Sequence, residues 1–488
     1  MTNRKNVSGI SDHKKRKGAL VTPFNDGLNF KFSSWAKERM PEYLWLGLIL
    51  KYYGRKLGIE KAGSIFFGIS RSGVSLPAPR LSMIFALSDD NQKTIYKIIS
   101  KHIEKDVLTP LTLIYKSRFQ PLFNEYFFIS HITVEEKIQS LSEAVKVYFP
   151  HQSNEATDLR FLSLSFLLFN GKIVVSTEAK GTLEALKEYP YTDHDDEKMR
   201  WYRPAIRSTE IAMIFEAYNT EFAYKFWREL GMITPCNLIK IEFTENMTDY
   251  KEFTMDCRKV LEYIFYSNKE KSLMDDKFDV IIGSVNYALK IFDEINDKAL
   301  GNSILGRHGI RTIIEVYIML KYLLKREAAQ PKIWEEYKLY GISKYKLVLL
   351  KARESDTLDE TSHFSQSVVD ALVNEIIWEE FINVDFNYFD KQGIRDKSID
   401  VGEKELYDLF YDYDSSFSHG MWGAVRESSM LHCNSADHQF HTVPDIYDNQ
   451  NLPDVKSDSY KIMIPLYKLL AGLYDIPTWF ADKYFVKK

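Results

Sequence analysis

The segment at 303–326, SILGRHGIRTIIEVYIMLKYLLKR, is apolar on nearly every side when it is drawn as a helix. Such a helix is stable only where other elements cover it, so the segment predicts a helical bundle. Arg307, Arg311 and Glu315 nevertheless follow one another at four-residue spacing and share one stripe of this helix. Charged side chains inside a bundle must pair or face a cavity, because their desolvation is otherwise costly.

Two interpretations of this charged stripe stay open at the level of sequence. In the first, Arg311 and Glu315 form an ion pair within the helix that holds neighbouring helices in register. In the second, the stripe faces His419 across the bundle and forms part of a functional site.

Helical patterns dominate the rest of the chain as well. Long ones are predicted at 273–297, 303–326, 331–352, 359–382 and 403–432. The stretch at 161–175, FLSLSFLLFNGKIVV, fits either a hairpin turning at Asn170-Gly171 or a buried helix that ends at Gly171.

The predicted fold class is therefore mainly α. We expect an N-terminal helical region at 1–268, with a small β element near 160–180, in front of an antiparallel helical bundle at 270–436. A C-terminal extension at 437–488 is expected to contain one helix, near 458–473, and to pack back on the bundle.

Composition narrows the class of protein. The net charge of −4 argues against broad affinity for nucleic acid or membranes driven by total charge. Cys236, Cys257 and Cys433 are far apart, which indicates a reducing cytoplasm rather than a disulfide scaffold. The longest apolar runs, such as FLLF at 166–169, are too short to cross a bilayer, so we expect a soluble cytoplasmic protein without a membrane partner.

Polar chemistry is concentrated in the segment Tyr411–Cys433, YDYDSSFSHGMWGAVRESSMLHC. As one helix, this segment would carry Ser415, His419, Trp422 and Arg426 on a single face. Four of the eleven histidines fall between 419 and 441. This segment is therefore the first candidate for a functional site.

The histidines of this segment also have ordinary structural interpretations. His419 could be a core residue hydrogen-bonded to Ser415 or Tyr413. Trp422 is expected to pack in the core rather than to stack on a base. His432 would serve as a cation near the end of a helix.

The pairing of HGIRTIIEVYIMLKYLL with the later YDYDSSFSHG resembles a bacterial domain family of unknown function related to HEPN domains, over roughly 270–436. HEPN domains are small helical bundles, often dimeric, and many are metal-independent ribonucleases of toxin or anti-phage systems. Their hallmark is an arginine followed, after four to six residues, by a histidine, and Arg426 and His432 have this spacing. The resemblance to the related family instead implies a histidine at the position of His419, so that Arg311, Glu315 and His419 become the matching set.

The resemblance implies a chemistry for these residues. Histidine moves protons near neutral pH, arginine holds the phosphate charge, and a carboxylate orients either of them. The implied catalytic residues are His419, Arg311, Glu315, Arg426 and His432. The implied substrate-binding residues are Arg307, Ser415 and Ser418.

On this view the chain is a metal-independent ribonuclease of a bacterial anti-phage or toxin-like system. It would take RNA as substrate, form a homodimer, work with a co-encoded defence partner and need no metal or cofactor. The N-terminal region would sense a trigger or restrain the nuclease. The alternative is a non-catalytic protein that dimerises and binds or regulates a partner.

Two possible metal sites are alternatives to this interpretation. His432, Cys433, His438 and His441 form a possible zinc set, although their spacing matches no strong zinc signature. The sequence Glu178-Ala-Lys180 resembles the end of a magnesium-dependent nuclease motif, with Asp158 as the nearby aspartate.

Overall fold

The computed structural model describes residues 10–16, 18–22, 33–173, 179–213, 217–354, 363–438 and 441–486. It is mainly helical and divides into two compact units. Unit 1 comprises Met1–Leu238 and Cys433–His441, and unit 2 comprises Ile239–His432 and Thr442–Lys488. The division thus falls at Leu238, earlier than the boundary at 268–270 that the sequence led us to expect.

Unit 1 begins with an antiparallel pair of short strands, β1 (Lys14–Arg16) and β2 (Ala19–Val21). Its helices are α1 (Met40–Tyr53), α2 (Arg55–Arg71), α3 (Leu81–Phe85), α4 (Asp89–His102), α5 (Pro121–Phe127), α6 (Val134–Tyr148), α7 (Asn154–Phe169), α8 (Lys180–Glu188), α9 (Met199–Ala212) and α10 (Thr220–Ile233).

The core of unit 1 forms around α1, in which every residue from Met40 to Leu50 is buried. A helix that is buried on all sides needs apolar residues on all sides, and the sequence MPEYLWLGLIL supplies them. The stretch at 161–175 contributes the end of α7, and the chain then turns at Gly171 with φ of +63°. The buried-helix interpretation is therefore confirmed for 161–169 and the hairpin is wrong, whereas 174–178 lie outside the described residues.

Unit 2 contains most of the predicted bundle. Its helices are α11 (Lys251–Ser267), α12 (Asp276–Asp297), α13 (Ile304–Arg326), α14 (Ile333–Arg353), α15 (Gln366–Val373), α16 (Ile394–Asp400), α17 (Lys404–Leu406), α18 (Asp412–Ser418), α19 (Trp422–Ser429), α20 (Lys456–Ala471) and α21 (Thr478–Tyr484). The remaining strands are β3 (Leu238–Ile239), β4 (Met430–Cys433) and β5 (Thr442–Pro444). Strands β4 and β5 pair antiparallel, with Leu431 opposite Val443.

The centre of unit 2 is α13, whose residues Ile310, Ile313, Ile314 and Ile318 are all buried. It packs against α12, α16, α18 and α20. A Cβ atom added at Gly309 would lie 2.8 Å from Ile295 of α12, so the missing side chain allows close packing of these two helices. The helix predicted at 303–326 is confirmed and its apolar centre is buried, whereas Ile304 and Leu305 at its start are exposed.

The structure confirms some of the other helices predicted in this region and shortens or divides the rest. Those at 273–297 and 331–352 are confirmed as α12 and α14. The pattern at 359–382 retains only α15, and 355–362 lie outside the described residues. The C-terminal extension carries two helices, α20 and α21, rather than one, and α20 packs back on the core of unit 2.

Among the helices that the structure describes, none combines the length and the apolar character that crossing a bilayer requires.

Candidate functional site

Helix α13 carries the charged stripe into the interior of unit 2. The helix begins at a serine cap, where the Ser303 hydroxyl accepts a hydrogen bond from the backbone N–H of Gly306 at 3.1 Å. Its isoleucines turn into the core, and the four-residue spacing therefore brings Arg307, Arg311 and Glu315 to one side of the helix. This side faces α18 and the π-helical turn at Tyr407–Tyr411 that leads into α18.

Arg311 is the centre of a hydrogen-bonded network with three neighbours. Its Nε donates to the Ser415 hydroxyl at 3.0 Å and its Nη2 donates to the Tyr411 hydroxyl at 2.7 Å. Its Nη1 lies 3.4 Å from the Glu315 carboxylate. Glu315 in turn accepts hydrogen bonds from the hydroxyls of Tyr411 at 3.1 Å and Tyr388 at 2.8 Å. The ion pair of the first interpretation is therefore present, and the stripe also contacts the helix that precedes His419.

Two of these neighbours, Tyr411 and Tyr388, were not singled out from the sequence. Burial raises the pKa of both hydroxyls, and the adjacent Glu315 charge raises each pKa further. Both tyrosines therefore stay protonated and donate to Glu315 at neutral pH. Tyr411 opens the YDYD motif, but its phenol could not be assigned a partner without knowing which helix lies opposite.

Arg307 forms a separate and more deeply buried contact. Its Nη2 donates to the carbonyl oxygen of Pro453 at 2.8 Å, and its Nη1 lies 3.6 Å from the Asp414 carboxylate. The side chains are 9% and 2% exposed, respectively. Burial raises the pKa of Asp414 to about 7, and the Arg307 charge opposes this rise only in part. The guanidinium of Arg307 is thus occupied by groups of the protein itself. The substrate-binding role expected for Arg307 stays a prediction.

The protonation of Asp414 predicts a pH-dependent stability. Between its unfolded pKa near 3.8 and its folded pKa of about 7, the native state holds a proton that the unfolded state releases. The free energy of unfolding should therefore fall as pH rises through this window. Wild type should therefore lose stability between pH 5 and pH 8, whereas Asp414→Asn, which has no such proton, should not. We expect the free energy of unfolding of Asp414→Asn minus that of wild type, measured in guanidinium, to rise by about 2 kcal/mol from pH 5 to pH 8. The exposed neighbour Asp412→Asn is the control, and an equal shift in both variants would contradict the assignment to Asp414.

His419 lies at the end of α18, one turn after Ser415. It is exposed, and its imidazole has no hydrogen-bond partner among the described residues, since Ser415 accepts from Arg311 and Tyr413 donates to Glu427. The core interpretation of His419 is therefore wrong. Because its backbone N–H bonds to the Ser415 carbonyl at 3.1 Å, His419 stays attached to the turn that contacts Arg311.

Gly420 fixes the direction in which the chain leaves this turn. Its φ of +57° is left-handed, its N–H donates to Phe417, and the N–H of Met421 donates to Ser416 at 2.9 Å. This pattern is a Schellman motif, which ends α18 directly after His419. The single helix predicted for Tyr411–Cys433 is therefore wrong, and its four residues do not share one face.

Replacing Gly420 tests this helix ending. Nothing lies within 4 Å of an added Cβ, so Gly420→Ala should destabilise through its left-handed backbone alone, by about 1 kcal/mol. Gly420→Asn should cost less, since asparagine tolerates this conformation better. Gly423→Ala, at an equally open position within α19, should be neutral or slightly stabilising. Equal losses for Gly420→Ala and Gly423→Ala in denaturant unfolding would contradict the motif.

The remaining candidate residues, Arg426, His432 and Trp422, follow the end of α18 at Gly420. Arg426, on α19, donates from Nη1 to the carbonyl of Met430 at 2.7 Å and so caps its own helix. His432 is exposed on β4. The spacing of Arg426 and His432 thus spans a helix and a strand rather than one helix, and their catalytic role stays a prediction. Trp422 is 66% exposed, so its expected place in the core is wrong.

The structure also alters the two sets of metal ligands that the sequence suggested. Asp158 is buried on helix α7 rather than lying on a strand, and the Arg55 guanidinium donates to it at 2.9 Å. Glu178 lies outside the described residues. Of the zinc set, Cys433, His438 and His441 lie together, but Cys236 and not His432 completes the group.

Comparison with known proteins concerns this part of the chain. Residues 278–439, about a third of the sequence, match the model of a family of unknown function, DUF5677. No curated protein and no solved structure matches the chain. The match runs from α12 through α18 and α19, and it includes Arg311, Glu315, His419, Arg426 and His432. This segment is thus similar to a family of unknown function over nearly the range expected from the sequence.

Proposed function

We propose that unit 2 is a HEPN-like, metal-independent ribonuclease in which Arg311 and His419 carry the reaction. The observation that supports this most is the 3.0 Å hydrogen bond from Arg311 to Ser415. It joins two segments far apart in sequence, one with the guanidinium and the other with an imidazole one turn away. The imidazole is exposed and has no partner among the described residues, as a proton-transfer group that meets substrate must be.

The proposed reaction uses the 2′-hydroxyl of RNA as the nucleophile. The neutral imidazole of His419 takes the proton of this hydroxyl, and the 2′-oxygen attacks the adjacent phosphorus. The bond from phosphorus to the 5′-oxygen breaks, which leaves a 2′,3′-cyclic phosphate and a 5′-hydroxyl. The leaving 5′-oxygen takes its proton from a protonated His419 of a second copy. Two copies would therefore form one composite cleft, in keeping with the expected homodimer.

Arg311 would stabilise the charge that develops on the phosphate oxygens. A guanidinium stays protonated at all relevant pH values and binds two phosphate oxygens at once. Glu315 is proposed as a positioning residue, because it holds Arg311 at 3.4 Å while two tyrosine hydroxyls hold Glu315. The exposed Trp422 supplies a surface on which a base can stack.

The setting proposed for this activity is a bacterial anti-phage or toxin-like system in the cytoplasm. Unit 1 would sense a trigger or restrain the nuclease, with a co-encoded partner. One observation favours a non-catalytic alternative, a dimerising regulatory protein: three nitrogens of Arg311 are already engaged by protein groups. Substrate phosphate would have to compete with these contacts.

The test is degradation of total RNA by the full-length chain with EDTA present. We expect cleavage to persist in EDTA and not to need added magnesium. Cleavage that requires magnesium would overturn the proposal and favour metal-dependent chemistry. No cleavage of any RNA, with or without phage components, would favour the regulatory alternative.

A further inference from the structure

Four metal-binding side chains meet within unit 1, and none of them belongs to the proposed cleavage site. The group comprises Cys236, Cys433, His438 and His441, whose ligand atoms all lie within 4.8 Å of one another. We call it the Cys/His cluster. All four residues belong to unit 1, although Cys433 and His438 also lie within the family-like segment 278–439.

Local backbone structure holds the four residues in position. Cys236 follows the end of α10, and Cys433 is the last residue of β4. His438 ends a 3₁₀ turn at Ala436–His438. The N–H of Cys433 donates to the His441 carbonyl at 3.2 Å, and the N–H of His441 donates to the His438 carbonyl at 3.1 Å. The backbone thus folds three of the ligands into one tight loop.

The separations among three of the four ligand atoms are close to those of a tetrahedral metal site. The two Nδ1 atoms of His438 and His441 are 3.2 Å apart, and the Cys236 Sγ lies 3.4 Å and 3.8 Å from them. Zinc with bonds of about 2.05 Å to nitrogen and 2.3 Å to sulfur requires separations of about 3.3 Å between nitrogens and about 3.6 Å between nitrogen and sulfur. The measured distances lie on both sides of these values by a few tenths of an ångström.

The tautomer of His438 is also the one that a metal needs. Its Nε2 contacts the Thr234 carbonyl at 3.0 Å and the Thr234 hydroxyl at 2.9 Å. That hydroxyl donates its own proton to Leu230, so both Thr234 oxygens accept from Nε2–H. The proton therefore resides on Nε2, and the lone pair of Nδ1 points at Cys236 and His441. Metal-bound histidines are commonly oriented by such a hydrogen bond to a backbone carbonyl.

A backbone hydrogen bond also positions one of the two sulfur ligands. The backbone N–H of Asn237 donates to the Cys433 Sγ at 3.4 Å, which fixes the position of this sulfur. All three cysteines of the chain are free thiols, and Cys433 is only 3% exposed. Without a metal, the Cys236 thiol and His441 would compete for the single lone pair of His438. One cation would satisfy all four groups at once.

From these contacts we propose that unit 1 binds one zinc ion through Cys236, Cys433, His438 and His441. Two sulfurs and two nitrogens favour zinc over magnesium or calcium, which prefer oxygen ligands. Because protein atoms fill all four positions, the site is structural rather than catalytic. The ion ties the segment Cys433–His441 to the end of α10, so it stabilises the folded form of unit 1.

The first test is the metal content of the purified full-length chain, measured by native mass spectrometry and elemental analysis. We expect one zinc per chain in wild type and less than about 0.1 in Cys236→Ser and His441→Ala, because loss of one ligand weakens the site severely. Cys257→Ala and His432→Ala are the matched controls outside the cluster and should keep the ion. A full zinc content in the cluster variants would overturn the proposal.

The second test does not depend on whether a variant folds. Wild-type protein stripped by a strong chelator is titrated with cobalt(II), which should give the absorption bands of a tetrahedral site with thiolate ligands. Excess zinc should raise the melting temperature of stripped wild type but not of Cys236→Ser. A chain with no bound zinc and no cobalt spectrum would contradict the site, as would a Cys236–Cys433 disulfide in freshly purified protein. The outcome is independent of RNA cleavage, since His419→Ala should keep the ion.

Discussion

Replacing His419 with alanine is expected to lower the rate of RNA cleavage by about 100-fold or more, the usual contribution of a general acid or base. The physical reason is that the imidazole is exposed at this helix end and can reach a substrate, whereas the carboxyl group of Asp414 is buried against Arg307. Ser415 and Tyr413, the nearest hydroxyl groups considered for it, are already bonded to Arg311 and Glu427. The measurement is the initial rate on a labelled RNA in EDTA.

Because the His419 side chain is exposed and contacts no hydrogen-bond partner among the described residues, its removal should leave the melting temperature nearly unchanged. His131→Ala, another exposed histidine, is the control for the loss of an imidazole in general. His432→Ala separates the two assignments of the catalytic histidine. If His432→Ala abolishes cleavage while His419→Ala does not, the assignment to His419 is wrong.

Arg311→Ala should have a similarly large effect, with a rate lower by about 100-fold to 1,000-fold, the range found when one group that stabilises transition-state charge is removed. Arg311→Lys should recover little of this activity, because an ammonium cannot reproduce the planar fork that contacts Ser415, Tyr411 and Glu315. The measurement is again the cleavage rate in EDTA, together with the melting temperature of each variant.

Arg311→Ala also removes the partner of the half-buried Glu315, so a loss of about 1–2 kcal/mol of stability is expected. Arg258→Ala, which breaks an exposed ion pair with Asp293 in the same unit, controls for the loss of a surface arginine. Activity is compared well below the melting temperature of the least stable variant. Full activity in folded Arg311→Ala would remove Arg311 from the mechanism.

The sequence predicted the parts of the fold that depend on local pattern. The apolar surface of 303–326 is long and continuous, so its helix and its burial followed from periodicity alone. The same holds for α12 and α14. The stripe of Arg307, Arg311 and Glu315 was visible for the same reason, whereas Tyr411 and Tyr388 depend on which elements pack against α13.

The predictions that proved wrong depend on local backbone conformation and on contacts between residues far apart in sequence. Gly420 is compatible with a helix interior or with a left-handed helix end, and the sequence does not distinguish them. Strand β4 forms because Leu431 pairs with Val443 of β5, a contact outside the predicted helix. Cys236 is far from the other cluster residues in sequence, so spacing rules could not add it to the zinc set.

The chemistry of the RNA ends produced by the full-length wild-type chain in EDTA tests the central claim most directly. Attack by the 2′-hydroxyl with His419 as base predicts 2′,3′-cyclic phosphate and 5′-hydroxyl ends, and a single 2′-deoxy nucleotide at the cut site should block cleavage there. Ends that carry a 5′-phosphate, or cleavage of the 2′-deoxy site at an undiminished rate, would contradict the account.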